Sequence, residues 1–186
     1  MESSEAGPHQ SVEIDEAQII ASILKGDSHK FEVLYTKYER QIFSYVYSML
    51  NYHPQDTEDV CSTVWIKAYN KLDRFNRKKK FFSWIYTIAR NCCFDHLRKK
   101  RITELSLDDV SEFRYASVQI EDVIIKRDVV LSALNRLSLK DKNLLIMRYI
   151  EGYMPKDIAE ILGIPVNRVS VQLNRALAQA KKQLQL

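Results

Sequence analysis

The stretch FFSWIYTIARNCCFDHLRKK, from Phe81 to Lys100, carries the pattern that decides the fold. Its apolar residues recur with a helical period, and one stripe holds Phe81, Ile85, Ile88 and Cys92. Four consecutive cations precede the stretch and four close it, so that residues 71–101 hold eleven Lys or Arg against two acids, a net charge of +9. Such a basic and aromatic segment can bind phosphates and stack on unpaired bases. A solvated charge run beside a core helix would have the same composition.

The rest of the sequence is also helical in pattern. The chain has 186 residues, 46% of them hydrophobic, and only four Gly and four Pro, so there is little turn chemistry and no strand–turn rhythm. Long apolar repeats with a 3.6-residue period dominate instead. We therefore predict an all-α protein.

Charge divides the chain into blocks that largely cancel in the total of +4. The basic block at residues 71–101 is followed by residues 102–124, where six acids face one Arg, and then by a second basic block. Two basic modules on either side of an acidic connector suggest a polyanionic partner. The predicted organisation is a disordered N-terminus, a first helical domain, an acidic flexible linker and a second helical domain, at residues 1–12, 13–101, 102–122 and 123–186.

Several classes of protein are excluded by what the sequence lacks. No apolar run approaches the length of a membrane span and the first ten residues do not read as a signal peptide, so we expect a cytoplasmic protein without membrane insertion. Cys61 stands alone and Cys92 and Cys93 are adjacent, without the Cys/His spacing of a metal site. Since there is also no Gly-rich phosphate loop and no nucleophile motif, we expect no metal, no cofactor, no small-molecule substrate and no enzyme activity.

The C-terminal segment predicts a helix-turn-helix. A short helix ends at Gly163, which suits a left-handed cap, and Pro165 suits the first turn of a last helix. The apolar stripe of that last helix leaves a second set of residues facing outward: Arg168, Val171, Asn174, Arg175 and Lys182. An outward Val is unusual on a solvated helix, but it suits a thymine methyl in a major groove. The alternative is an ordinary helical hairpin within a bundle.

Taken in order, the sequence motifs resemble one bacterial family. The motifs are DTED at 56–59, VWIKAY at 64–69, RF at 74–75, FSWIYTIARN at 82–91, DIAEILG at 157–163 and RA at 175–176. Their order and spacing are similar to those of the extracytoplasmic-function sigma factors, which are minimal specificity subunits of RNA polymerase. The resemblance covers nearly the whole chain from about Asp15.

The resemblance implies three partners: core RNA polymerase, promoter DNA and an anti-sigma factor. The polymerase contacts it implies are Asp56, Glu58, Asp59, Thr63 and Trp65. The same acidic turn could instead serve only to cap a helix dipole. The linker is implied to occupy a channel built for RNA, although a solvated tether has the same charge.

Promoter DNA is implied to be bound as a duplex at the −35 element and as a melted non-template strand at the −10 element. The candidate −10 contacts are Phe75, Asn76, Arg77, Lys78, Lys79, Lys80, Trp84, Tyr86, Arg90, Asn91 and Arg98. The candidate −35 contacts are Arg168, Ser170, Val171, Asn174, Arg175 and Lys182.

The chain departs from the family pattern at two places. The last helix opens with Asn167–Gln172 instead of a more basic run, which predicts an altered −35 preference and fewer phosphate contacts. The loop Asn76–Lys80 is more basic than usual, which could offset the weaker last helix. A helix-turn-helix regulator that acts without polymerase is the alternative function, but it leaves residues 75–101 unexplained.

Overall fold

The computed structural model describes residues 15–106 and 129–184, and within them every regular element is helical. The longer helices are α1 (Glu16–Leu24), α2 (Phe31–Met49), α3 (Pro54–Asn70), α4 (Phe81–Ser106), α5 (Leu139–Leu145), α6 (Pro155–Leu162) and α7 (Val166–Leu184). Residues 129–135 are also helical, short 3-10 turns cover Ser28–Lys30 and Leu72–Arg74, and a π-helical turn covers Ile146–Ile150. The predicted all-α class is confirmed. The predicted disordered N-terminus and most of the predicted linker lie outside the described residues.

The first domain packs α2, α3 and α4 around an aromatic core. Tyr45 and Tyr86 are almost fully buried, with ring centroids 4.3 Å apart, and Phe81 is buried against Tyr38 and Phe75. Pro54 occupies the first turn of α3, where its missing N–H costs nothing. Helix α4 continues to Ser106, five residues past the predicted domain boundary at residue 101.

Helix α5 of the second domain has its N-cap at Ser138, where the sequence Ser138-Leu-Lys-Asp141 predicts a capping box. The Ser138 hydroxyl accepts a hydrogen bond from the Asp141 backbone N–H at 3.1 Å, which fixes the start of α5. Where the sequence pattern predicts one helix to Ile150, α5 ends at Leu145 and the chain continues as the π-helical turn. Gly163 adopts the predicted left-handed conformation, with φ +65°, and turns the chain from α6 into α7.

Polar contacts join the two domains. The Tyr45 hydroxyl donates to Asn143 Oδ1 at 2.6 Å, and the Ser44 hydroxyl donates to Glu151 at 3.1 Å. The ammonium of Lys142 donates to Asn51 Oδ1 at 2.8 Å, although the Lys142 residue is only 2% exposed. Residues 142–151 of the second domain are thus fastened to the C-terminal half of α2 and the turn after it.

Within residues 15–106 and 129–184, no helix is both long and apolar enough to cross a membrane.

Candidate nucleic-acid interfaces

Helix α7 separates an apolar face from an exposed one. Val169, Leu173 and Ala176 are buried against the rest of the second domain. The residues predicted to face outward are exposed, namely Arg168, Val171, Asn174, Arg175 and Lys182, while Ser170 is half-buried. Val171 is 69% exposed, which is unusual for a large aliphatic side chain on a folded helix. This exposed face combines N–H donors with one methyl-bearing side chain, the groups that read base edges in a major groove.

Arg175 on this face has a partner within its own domain. Its Nη2 lies 3.1 Å from Oδ1 of Asp141, at the start of α5. The Asp141 side chain is only 5% exposed, whereas that of Arg175 is 61% exposed. The guanidinium is therefore anchored at one edge and open to solvent over the rest of its surface.

The basic loop, Asn76–Lys80, precedes α4 and is exposed along its whole length. The Asn76 side chain accepts the backbone N–H of Lys78 at 3.0 Å, which holds the start of the loop in a turn. At its end, the Lys80 ammonium lies 2.7 Å from a carboxylate oxygen of Glu160 on α6. The hydrogen bond to Glu160 raises the pKa of Lys80. One cation of the loop is thus engaged by the second domain.

Two residues predicted to contact DNA are buried in this arrangement of the domains. Phe75 is 8% exposed and its ring lies 5.2 Å from that of Trp84; Tyr86 is 1% exposed and faces Tyr45. Burial raises the pKa of Tyr86 well above its ordinary value. Stacking on a base would require these rings to become accessible, so their DNA contacts stay a prediction. Helix α4 is buried over a wider arc than one stripe predicts, because the second domain also packs on it.

The remaining residues predicted on α4 are partly or fully accessible. Asn91 and Arg98 are exposed, whereas Trp84 and Arg90 are half-buried. The Arg90 Nη2 donates to Asn91 Oδ1 at 3.4 Å, and Arg98 lies 3.8 Å from Asp95 one turn earlier. Cations therefore follow one side of α4 beyond the basic loop.

The acids near the start of α3 divide into a paired carboxylate in the first turn, Asp56, and two exposed ones in the next turn, Glu58 and Asp59. The Asp56 carboxylate accepts a 3.0 Å hydrogen bond from Lys100 and lies 3.4 Å from nitrogens of both His53 and His96. Burial alone would raise the pKa of Asp56, but the hydrogen bond from Lys100 and the surrounding charges outweigh it and lower the pKa. Glu58 and Asp59 are exposed. Asp56 thus ties α3 to α4, while its two neighbours face solvent.

An aromatic groove between α2 and α3 escaped the sequence analysis. It has a volume of about 930 Å³, and its lining includes Tyr35, Phe43, Tyr47, Trp65 and Ile66. The Tyr35 and Trp65 rings lie 4.9 Å apart at one end of it. On α2, a second line of residues with four-residue spacing runs beside the core stripe. This pattern is the sequence signal that could have revealed the groove. Thr63, predicted with Trp65, is exposed and donates its hydroxyl to the Asp59 carbonyl at 2.9 Å.

Within residues 15–106 and 129–184, no group of three His, Cys, Asp or Glu side chains is placed so that it could hold a metal ion. His53, His96 and Lys100 are instead three basic side chains grouped around the one carboxylate of Asp56.

Two family profiles match the chain in the order of its two domains. Residues 34–102 match Sigma-70 region 2, and residues 127–179 match Sigma-70, region 4. Among characterised relatives, the ECF RNA polymerase sigma factor SigW of Bacillus subtilis (strain 168) is 29% identical over 178 residues, covering 89% of this chain and 94% of SigW. The RNA polymerase sigma-H factor of Pseudomonas aeruginosa is 27% identical over 180 residues, covering 90% of this chain and 93% of that protein.

Solved structures give the same fold. CnrH, solved in complex with the cytosolic domain of CnrY, is 21% identical with a TM-score of 0.64, covering 91% of this chain and 96% of CnrH. The sigma factor RpoE from Bartonella quintana, solved with the anti-sigma factor NepR, is 21% identical with a TM-score of 0.58, covering 84% of this chain and 97% of RpoE. At this level of identity, the structural likeness confirms the arrangement of helices alone.

Proposed function

We propose that this chain, which belongs to the extracytoplasmic-function group of the sigma-70 family, is an alternative sigma factor. It binds core RNA polymerase, directs the polymerase to promoters through their −10 and −35 elements, and helps to melt the DNA. One observation carries the proposal: a region 2 match and a region 4 match occur in that order on one chain, each with an accessible basic surface. The protein performs no chemistry of its own in this role.

The exposed face of α7 is assigned to the −35 duplex. Asn174 can pair with adenine, Arg175 with guanine, and Val171 can contact a thymine methyl. Arg168 and Lys182 are exposed near opposite ends of the helix and are suited to the phosphates on either side. The helix-turn-helix contacts the first domain through α6, whereas these residues of α7 are exposed.

The basic loop and α4 are assigned to the −10 element. Unstacking a base step costs a few kcal/mol, which the protein offsets by binding the exposed strand. The loop cations would neutralise phosphates while Asn91 and Arg98 follow the strand along α4. Trp84 is the most accessible aromatic candidate for base stacking, since Phe75 and Tyr86 are buried in this arrangement.

Use of the −10 surface requires the two domains to separate there. Glu160 holds Lys80, and the Tyr153 ring lies 6.2 Å from that of Phe82 at the start of α4. A DNA strand that approaches the loop would have to compete with the Glu160 carboxylate. We infer that binding to polymerase or DNA replaces these contacts.

The polymerase is assigned to α3 and the aromatic groove. Glu58 and Asp59 supply exposed negative charge, and Trp65 lies in the groove wall beside them. An anti-sigma factor is proposed as a further partner, because RpoE, of similar fold, was solved with one. Such a factor would act by covering a surface that polymerase or DNA needs.

Run-off transcription with purified core polymerase tests the proposed function. The full chain should bind core polymerase and make it initiate at a discrete set of sites from a genomic DNA library. The same assay with core polymerase alone is the control. If the chain bound duplex DNA specifically but neither bound core polymerase nor changed its start sites, the alternative of a polymerase-independent regulator would replace this proposal.

A further inference from the structure

The ion pair between Arg175 and Asp141 joins two elements that the sequence separates by 34 residues. Arg175 lies on the exposed face of α7, whereas Asp141 lies in the first turn of α5. The carboxylate is nearly enclosed by protein, and its two oxygens have different partners. Oδ2 accepts the Ser138 hydroxyl at 2.7 Å, while Oδ1 accepts Arg175 at 3.1 Å.

The capping box makes Asp141 a rigid anchor. Ser138 accepts the Asp141 backbone N–H and donates its hydroxyl to the same residue's carboxylate, so both the backbone and the side chain of Asp141 are held. A carboxylate fixed in this way sets the position of the arginine that binds it. An exposed arginine without such a partner would instead sample many rotamers.

The pair leaves Arg175 suited to one kind of DNA contact. A guanidinium has five N–H donors in one plane, and Asp141 is within reach of Nη2, one of the two terminal nitrogens. The others remain available, since the side chain is 61% exposed. A guanidinium of fixed plane matches the O6 and N7 acceptors of guanine, which require two parallel hydrogen bonds. The neighbouring carboxylate also cancels the positive charge, which makes the pair a poor phosphate ligand.

We propose that Asp141 is a positioning residue that makes Arg175 a reader of one guanine in the −35 element. This inference rests on the proposed function, in which α7 enters the major groove. It assigns base readout, and not phosphate binding, to Arg175. Lys182 on the same helix, exposed and without a carboxylate in ion-pair distance among the described residues, is the matched phosphate-type cation.

The experiment is selection of −35 sequences by reconstituted holoenzyme, using a DNA library randomised across that element. Four variants are compared with the parent: Asp141→Asn, Arg175→Ala, Arg175→Lys and Lys182→Ala. The parent should prefer guanine at one position. Asp141→Asn and Arg175→Ala should reduce this preference at the same position by about 5- to 100-fold, and Arg175→Lys should do likewise because an ammonium lacks the planar fork. Lys182→Ala should weaken all sequences about equally and reduce the slope of log affinity against log salt by about one.

Two further measurements separate positioning from simple stability. Ser138→Ala removes the cap and the hydrogen bond to Oδ2 but keeps the carboxylate, so it should lower the midpoint of thermal unfolding and relax the guanine preference less than Asp141→Asn does. In an Arg175→Ala background, Asp141→Asn should have no additional effect on base preference.

The proposal is overturned if Asp141→Asn retains the parental guanine preference, or if it weakens every −35 sequence equally. It is also overturned if Arg175→Lys keeps the preference, because a point charge would then suffice. Failure of the parent to direct polymerase to any promoter would overturn the proposed function itself, which this same assay detects independently.

Discussion

The two candidate DNA surfaces differ in what they touch. The exposed face of α7 has its one ion pair within its own domain, between Arg175 and Asp141. The basic loop ends at Lys80, which is paired with Glu160 of the other domain. The first surface is therefore ready to meet DNA in the arrangement seen, whereas the second becomes complete only when the domains part. The face of α7 is thus organised by contacts within its own domain, whereas access to the basic loop depends on the position of the other domain.

The contacts that hold the domains together include buried polar ones. Lys142 donates to Asn51 of the first domain and to Asn135 of its own, each at 2.8 Å. Burial lowers the pKa of Lys142 from 10.5 to about 8, because the charged form loses hydration. A buried ammonium bound by two amides adds little net stability, but it specifies which groups must face each other.

The largest effect is expected from a change on the buried face of α7. Leu173→Ala removes a buried side chain from the inward face and should lower the free energy of unfolding of the second domain by about 2–5 kcal/mol. Val171→Ala, on the exposed face of the same helix, should change it by less than about 0.5 kcal/mol. Thermal unfolding followed by circular dichroism measures both. Equal effects of the two changes would mean that α7 does not divide into an inward and an outward face.

The next prediction concerns the basic loop. Replacement of Lys78, Lys79 and Lys80 by Ala removes three phosphate-neutralising charges, so the salt slope of open-complex formation should become shallower by about 2. Between about 50 and 200 mM salt, the parent should lose roughly 20-fold more affinity than the variant. Permanganate footprinting of the melted strand at several salt concentrations measures this loss. An unchanged slope would remove the loop from the DNA interface.

Glu160→Gln tests whether the second domain competes with DNA for the basic loop. It leaves the loop intact but removes the carboxylate that competes for Lys80. Open-complex formation should become faster or remain the same, whereas the triple lysine variant should be slower. If Glu160→Gln slowed opening as much as the lysine changes do, the pair would support DNA binding instead of opposing it.

A smaller effect is expected at the acidic turn. Asp59→Lys reverses an exposed charge and should slow association with core polymerase by about 10-fold at low salt, with little change in stability. Asp56→Asn should behave in the opposite way, because Asp56 is held by Lys100 inside the first domain. Stopped-flow association and thermal unfolding, applied to both variants, distinguish the two roles. Normal association of Asp59→Lys would assign the turn to helix capping alone.

The smallest predicted effect comes from pH. The folded pKa of Lys142 lies below the unfolded value, so its burial costs stability at low pH, and this cost falls as pH rises from about 8 toward 10.5. Between about pH 7 and pH 9, the parent should gain about 1 kcal/mol of unfolding free energy relative to Lys142→Met. Comparing the two proteins cancels the opposing contribution of buried Cys and Tyr residues. Parallel pH profiles would place the Lys142 ammonium in water.

The sequence was sufficient for whatever depends on local chemistry. Ser138 and Gly163 mark helix ends by the hydrogen bonds and backbone angles that only a few residue types provide, and both are where the pattern predicted. The inward stripe of α7 follows from helical period alone. Residues 175 and 171 were placed outward for the same reason, and both are exposed.

What the sequence could not supply are pairings between distant segments. Asp141 meets Arg175, and Asp56 meets Lys100 across 44 residues, and no local pattern signals either contact. The burial of Tyr86 was not foreseen for a related reason. An aromatic residue off the main stripe of a basic helix is as well suited to a base as to a core, and the packing of the second domain on α4 encloses it in this arrangement.

The Lys80–Glu160 pair also has a consequence for the order of events on the ribosome. Glu160 is synthesised 80 residues after Lys80, which at roughly 5–20 residues per second is a delay of about 4–16 seconds. The contacts of the first domain are complete before Glu160 exists, so this domain can fold with its basic loop uncovered. Each newly made chain therefore passes through a period in which the loop is available to nucleic acid in the cell, and the closing of the second domain ends it.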